Sequence, residues 1–385
     1  RCTSDCPATT TGKALDPREL VMKVGEVSSA TGTPPVSTPV SLSAGTTVTA
    51  DSLFDRITTD ELYSCTTCRA CDEVCPVDIE ILDKILDMRR YKTLMESDFP
   101  TELGKAYMSL ENQGNPWGMA QSARADWAKD LPIHVPILGE DKERAEYLYW
   151  VGCAGSFDDR NVAVTKSVAT LLDAAGVDYA ILGPKEGCTG DPARRSGNEY
   201  LFQMAAFENI ETLNSHEVTK IITQCPHCMT TLGNDYAQFG GEYEVIHHSQ
   251  LLAELVRRGH LDVDLGDEKI TYHDPCYLGR HNDVYLDPRE VVASTGNLIE
   301  MERSGPDSFC CGAGGARFFM EESTGKKVNV ERSEEALATG ADTVAVGCPF
   351  CFVMMDDGVK ELGAENVQVK DLAMLMVENL KQPEA

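Results

Sequence analysis

The cysteines of this chain recur at one fixed interval, and that interval limits the fold more than any other feature of the sequence. Cys153, Cys188, Cys225 and Cys228 stand 123 positions before Cys276, Cys311, Cys348 and Cys351. The same shift carries Ala193-Arg194 onto Ala316-Arg317, Glu199 onto Glu322 and Pro226 onto Pro349, and sets Ile246 against Val369. A register held over so many sites marks an internal duplication, so one unit must fold twice.

Each unit alternates short β-rich runs with helical ones. In the first, Tyr147–Val151, Asp178–Leu182, Ile221–Gln224 and Tyr243–Ile246 predict strands, while Val162–Ala175, Tyr200–Leu213 and Ser249–Arg257 predict helices. Such alternation gives a parallel sheet covered by helices. Ligands of these sheets collect beyond the carboxyl ends of the strands. Cys153, Cys188 and Cys225 each follow a predicted strand, so one sheet edge should gather the cysteines of each repeat.

Six further cysteines precede the repeats. Cys65-x2-Cys68-x2-Cys71-x3-Cys75-Pro76 has the bacterial ferredoxin spacing, with zinc as the alternative occupant, and Cys2-x3-Cys6-Pro7 is the second half of the same motif. In the two-cluster arrangement the fourth cysteine of each motif serves the other cluster. One 4Fe–4S cluster is therefore expected on Cys65, Cys68, Cys71 and Cys6. The other needs Cys2, Cys75 and two cysteines upstream of Arg1, so the chain is expected to be a fragment with one incomplete cluster. Ser28–Ala50, rich in Ser, Thr, Pro and Gly, predicts an exposed loop. Asp78–Ser97 predicts a helix with Ile81, Leu82, Ile85, Leu86, Met88, Tyr91 and Met95 at helical spacing, packed over whatever the cysteines hold. The expected organisation is an α-helical ferredoxin-like domain over residues 1–105 and a connector over 106–145. Two pseudo-symmetric α/β cysteine-rich domains follow, over 146–262 and 268–385.

The second repeat offers five thiols, Cys276, Cys310, Cys311, Cys348 and Cys351, and these form the candidate redox-active centre. Structural zinc takes four ligands, which would leave one thiol surplus, whereas a larger or more open iron–sulfur assembly uses it. Gly312, Gly314 and Gly315 would let backbone N–H groups approach cluster sulfides. The first repeat retains only Cys153, Cys188, Cys225 and Cys228, with either Gly187 or Thr189 in place of the lost thiol. Four thiols suffice for a 4Fe–4S cluster or for zinc. Both Cys-x2-Cys pairs enclose a proline and should open a helix, whose N-terminus favours thiolate. Arg194 and Arg317 occupy equivalent places, suited to neutralising a cluster, binding an anionic group or pairing with carboxylates. His227 either donates to a sulfur or lies inert at the surface, the latter being the expectation. His247, His248 and His273 are expected to be structural.

Composition excludes several classes. Fifteen cysteines, an odd number, in a 385-residue chain without a signal peptide point to metal or redox chemistry rather than a disulfide framework. A net charge of −28 argues against nucleic acid or anionic lipid as partner. No apolar run reaches membrane-spanning length, so these residues are expected to be soluble. There is no P-loop, and no G-x-G-x-x-G follows a strand.

Cysteine, a Cys-Cys-Gly centre and Cys-x2-Cys, repeated behind paired ferredoxin motifs, resemble the heterodisulfide reductase family. The segments Cys188-Thr189-Gly190-Asp191-Pro192-Ala193-Arg194-Arg195, Gly197-Asn198-Glu199 and His273-Asp274-Pro275-Cys276-Tyr277-Leu278-Gly279-Arg280 are similar to its membrane-bound branch linked to electron-transfer flavoprotein. The resemblance implies a noncubane cluster in the second repeat and a haem b-bearing membrane domain upstream, on whose cytoplasmic side this part lies. It also implies electron flow from a reduced flavoprotein to a membrane quinone. Thr189 departs from two full motifs, which tells against the rival reading, disulfide reduction at paired noncubane clusters. Other rivals are the iron–sulfur subunit of a glycolate, lactate or glycerol-3-phosphate dehydrogenase, and a zinc-stabilised scaffold without redox activity.

Overall fold

The computed structural model describes residues 1–30 and 53–381. From residue 147 the chain lays down two four-stranded parallel sheets. The first holds β1 (Tyr147–Trp150), β2 (Tyr179–Ala180), β3 (Lys220–Thr223) and β4 (Glu244–His247), in the order β2-β1-β3-β4. The second holds β5 (Lys269–Tyr272), β6 (Asn297–Leu298), β7 (Thr343–Val346) and β8 (Gln368–Asp371), in the order β6-β5-β7-β8. The two central-edge pairings differ by one residue: Ile222 lies opposite Ile246, but its equivalent Ala345 lies opposite Lys370 rather than Val369, so that Asp371 takes the place of His247. Short apolar runs such as Leu148–Trp150 and Val344–Val346 are buried, as strands with helices on both faces must be.

The strand expected over Asp178–Leu182 is reduced to Tyr179–Ala180. Beyond Ala180 the backbone pairs instead with the segment before the repeat: Leu138 N–H donates to the Ile181 carbonyl at 2.8 Å, and Ile181 N–H to the Pro136 carbonyl at 2.9 Å. That segment covers a sheet edge which would otherwise be open.

Helices dress each sheet. Asp158 caps the Asp159–Ala174 helix by accepting from Asn161 N–H, and Val164, Val168, Leu171 and Leu172 form its buried face. That helix packs on Leu372–Glu378, while His248–Arg257 packs on Leu286–Thr295. Under the 123-residue shift these are one contact made twice, so a pseudo-two-fold axis relates the repeats. They share a core in which Val168 and Leu252 meet Val292, Met355 and Met376. A polar contact crosses between the repeats: His248 Nε2 and Asp371 Oδ1 lie 3.0 Å apart, both side chains buried.

The N-terminal part is helical, with Pro17–Ala30, Thr59–Tyr63, Ile81–Tyr91 and Thr101–Gln113 as its main pieces. Thr58 and Glu61 form a capping box that starts the second of these just before Cys65. The loop expected from Ser28 begins later, because Gly25–Ala30 lacks proline and continues a helix anchored through Val21 and Val24; residues 31–50 of that loop lie outside the described residues. The Thr101–Gln113 helix runs through residue 105. Among the described residues no helix is long and apolar enough to cross a membrane.

Candidate functional site

Left-handed backbone at Thr67 and Arg69, with φ of 53° and 61°, curls the Cys65–Cys71 loop tightly. Cys65, Cys68 and Cys71 thereby line one cavity together with Cys6, which opens the Pro7–Thr10 helix, against Leu15 and Ile85. Thr67 N–H donates to Cys65 Sγ at 3.3 Å. Burial pushes the Cys6 thiol up to about 11 and Cys65 up to about 12. Thiolates form there only when a cation receives them. Cys2 and Cys75 do not line this cavity; Cys75 Sγ accepts from Ile79 N–H at 3.3 Å.

In the first repeat Cys153 follows β1, and Cys225 caps the Pro226–Thr230 helix. Cys153, Cys188, Cys225 and Cys228 line a second cavity, closed by Pro116 and Trp117 and by Pro349 and Phe350 of the second repeat. Arg124 donates from Nη2 to Cys153 Sγ at 3.3 Å and from Nη1 to Glu186 at 2.8 Å. Glu186 in turn accepts from Val151 and Gly152 N–H at 2.9 and 2.8 Å. Burial opposes ionisation of Cys153, but the Cys188 thiol and the Arg124 guanidinium outweigh it and bring the group down to about 7. Thr189 points its hydroxyl at Cys228 Sγ, 3.9 Å away.

The five thiols of the second repeat are all buried. Cys351 Sγ lies 3.3 Å from Cys311 Sγ, and Cys351 also meets Cys348. Cys310 touches Cys276 and Cys311, and it reaches a sixth thiol, Cys68 of the N-terminal cavity. Cys348 caps the Pro349–Glu361 helix. Gly312, left-handed at φ 97°, turns its N–H onto Cys310 Sγ at 3.3 Å. Gly314 and Gly315 let two loops approach, because a side chain at either would strike the carbonyl of Thr66 or of Cys65. A ring nitrogen of His273 lies within 4.8 Å of both Cys311 and Cys351 Sγ, and its Nδ1 accepts from Arg332 Nε at 3.0 Å. His273 thus borders the site rather than merely supporting the fold.

His227 is buried, contrary to the expected surface position. Its ring stacks on Tyr277 at 3.7 Å, and Nδ1 pairs with Asp191 at 3.0 Å. Tyr277 stacks on His281 at 4.0 Å and hydrogen-bonds Thr67 through its hydroxyl at 2.8 Å. One stack therefore joins the first repeat, the second repeat and the Cys65–Cys68 loop. Arg194 and Arg317 reach no cysteine sulfur. Arg194 lies over the Phe202 ring near Asp235 and Glu199, and Arg317 donates to the Tyr63 carbonyl at 2.7 Å.

Residues 147–233 and 270–356 each match the cysteine-rich domain family CCG, once per repeat. Over 83% of its length the chain is 31% identical to a polypeptide of the dihydromethanophenazine:CoB–CoM heterodisulfide reductase from Methanosarcina barkeri, covering 78% of that polypeptide. The chain belongs to the CCG family of heterodisulfide reductase relatives. This CCG-family chain is also 41% identical to the "probable iron-sulfur-binding oxidoreductase FadF" of Bacillus subtilis, over 99% of the chain and 59% of that protein. It is 39% identical to the EtfAB:quinone oxidoreductase of Syntrophomonas wolfei, over 98% of the chain and 56% of that protein. It therefore spans somewhat more than half the length of these two relatives. The crystal structure of a hypothetical protein from Helicobacter pylori shares the fold, with a TM-score of 0.51 at 10% identity, covering 86% of this chain and 64% of that one.

Three buried arginines that bear on the CCG sites carried no sequence signal strong enough to single them out. Arg124 comes from the segment before the repeats. Arg280 donates to the Cys68 carbonyl at 2.7 Å. Arg89 donates to the carbonyls of Leu62, Cys65, Arg195 and Gly315. Arg280 and Tyr277 do fall inside the His273–Arg280 stretch; Arg89 and Arg124 have partners far away in sequence.

Proposed function

We propose that this chain is an iron–sulfur oxidoreductase that relays electrons from a reduced flavoprotein, of the electron-transfer flavoprotein type, toward a membrane quinone. The observation that carries the reading is a continuous succession of buried sulfurs. It starts with Cys6 and Cys65, beside the half-buried Cys71, and passes through Cys68 to Cys310. It continues through Cys311, Cys351 and Cys348, and the next residues, Pro349 and Phe350, line the cavity of the first-repeat cysteines. An all-sulfur donor set suits iron–sulfur clusters, and the N–H groups of Thr67, Gly190 and Gly312 already face sulfurs, as cluster-holding loops require.

On this reading Cys6, Cys65, Cys68 and Cys71 hold a 4Fe–4S cluster, with Cys2 and Cys75 serving a second. The first repeat holds a four-thiolate centre, and Cys276, Cys310, Cys311, Cys348 and Cys351 hold the remaining, larger one. Such clusters supply one-electron storage and transfer when bound. The protein's own share is to exclude water, aim N–H groups at sulfur and keep successive centres close. The named EtfAB:quinone oxidoreductase supports the donor and acceptor, and the resemblance supports quinone reduction at a haem b-bearing membrane domain, with this part on its cytoplasmic side. The identity with the Methanosarcina heterodisulfide reductase favours a second reading, reduction of a disulfide at the five-thiol centre. The test uses the full-length protein in membranes, with reduced electron-transfer flavoprotein and a quinone. Quinone reduction is expected, together with iron and sulfide in the purified protein. No quinone reduction beside rapid turnover of a thiol disulfide favours the second reading, and zinc without iron removes both.

A further inference from the structure

The first repeat lacks one thiol of the second, and the geometry identifies where. In the second repeat Gly312 N–H bonds back to Cys310 Sγ at 3.3 Å, with Gly312 left-handed at φ 97°. In the first, Gly190 N–H bonds back to Cys188 Sγ at 3.5 Å, with Gly190 left-handed at φ 84°. The same turn therefore equates Cys188 with Cys310 and Thr189 with Cys311, one position off the 123-residue shift that relates the other cysteines. Contacts across each site agree. Cys188 meets Cys153 as Cys310 meets Cys276. Thr189 Oγ1 faces Cys228 Sγ at 3.9 Å, where Cys311 Sγ faces Cys351 Sγ at 3.3 Å. Gly187, the other candidate for the missing position, is crowded: a Cβ there would come 2.8 Å from Oδ1 of Asn209, whose Nδ2 donates to the Cys188 carbonyl and the Tyr236 hydroxyl.

We propose that Thr189 is the residue that decides which kind of cluster the first repeat assembles, and that its exchange with cysteine interconverts the two centres. The proposal rests on the iron–sulfur reading above. Thr189 is as buried as Cys311, at 2% and 3% exposure, and its side chain nearly matches cysteine in size. The hydroxyl stays protonated where a thiol ionises on metal, so it donates to Cys228 rather than bonding iron. The ligand set is thereby closed at four thiolates, enough for a cubane and one short of the open five-thiolate set opposite. Charge moves the same way: one potential thiolate is missing, and the Arg124 guanidinium sits on Cys153 instead.

The test is a reciprocal exchange in the anaerobically prepared protein, read by Mössbauer and EPR spectra and by iron and sulfide content. The unaltered protein should show two distinguishable repeat centres. Thr189→Cys should turn the first-repeat spectrum into that of the second, and Cys311→Thr should turn the second into that of the first. Thr189→Ser, which keeps a hydroxyl, should leave the spectra as they were. An iron-loaded Thr189→Cys protein with unaltered spectra overturns the role of Thr189, as does loss of the first-repeat signal with nothing in its place. Absence of iron from the first repeat of the unaltered protein overturns the underlying reading as well.

Discussion

Asp191 shows how much of each site is held by groups that are not cysteines. Burial opposes its charge, but His227 and Arg195 more than compensate and hold its carboxyl below the usual range. Arg195 Nε donates to it at 3.0 Å while also reaching Asp235. Asp191→Asn should cost about 3 kcal/mol, because it leaves a buried pair broken, and a lowered urea midpoint would register it. The sign with pH follows: this stabilisation is complete above the ordinary carboxylate value and is lost as pH falls through the depressed one. At Cys6 the expected outcome is spectroscopic. Cys6→Ser should disturb the centre on Cys65, Cys68 and Cys71, since all four line one cavity, whereas Cys2→Ser should leave that centre's EPR signal intact. The grouping of Cys6 with a loop some sixty residues on was legible because ferredoxin spacing is a local code with a known crossing rule. The burial of His227 was not: its cover, Tyr277, lies in the other repeat, and a polar residue between two cysteines carries no sign of what will stack on it.

Elements were most legible where the period was strong and the duplication gave each run a second reading. β3 and β7 match in place and length, and both Cys-x2-Cys prolines open helices as expected. Residues 106–145, by contrast, read as a connector, because Trp117, Arg124 and Pro136–Leu138 share no period. Their order is imposed from outside, by Phe350, Cys153 and Ile181. The Ile81–Tyr91 helix makes the same point through Arg89, whose guanidinium donates only to carbonyls from three parts of the chain. Arg89→Met would leave those carbonyls buried without partners, at about 1–3 kcal/mol each. The variant should lose at least about 4 kcal/mol in denaturant titrations, and Arg89→Lys should recover only part of it.

Across the whole molecule, the shared core makes the two repeats one cooperative body. Trp117 rests on Phe318, Phe319 and Phe350 of the second repeat, and Trp127 lies in the shared core, so tryptophan fluorescence reports the seam between the halves while far-ultraviolet circular dichroism reports the backbone of both. The two denaturation curves should coincide; midpoints that separate would mean that the seam and the sheets open in turn.

The contact between His248 and Asp371 bears on ancestry. Asp371 caps the helix after β8 as His247 caps the helix after β4, so its counterpart in the first repeat is His247, and the counterpart of His248 in the second is Leu372. Were the repeats separate, identical chains paired about a two-fold axis, every contact off the axis would be made twice. Here the pairing is made once, because the reciprocal positions hold a histidine and a leucine, which cannot form it. The halves are thus no longer interchangeable: expressed as two polypeptides, each should choose the other over itself, so that a duplication begun as symmetry is now kept by difference.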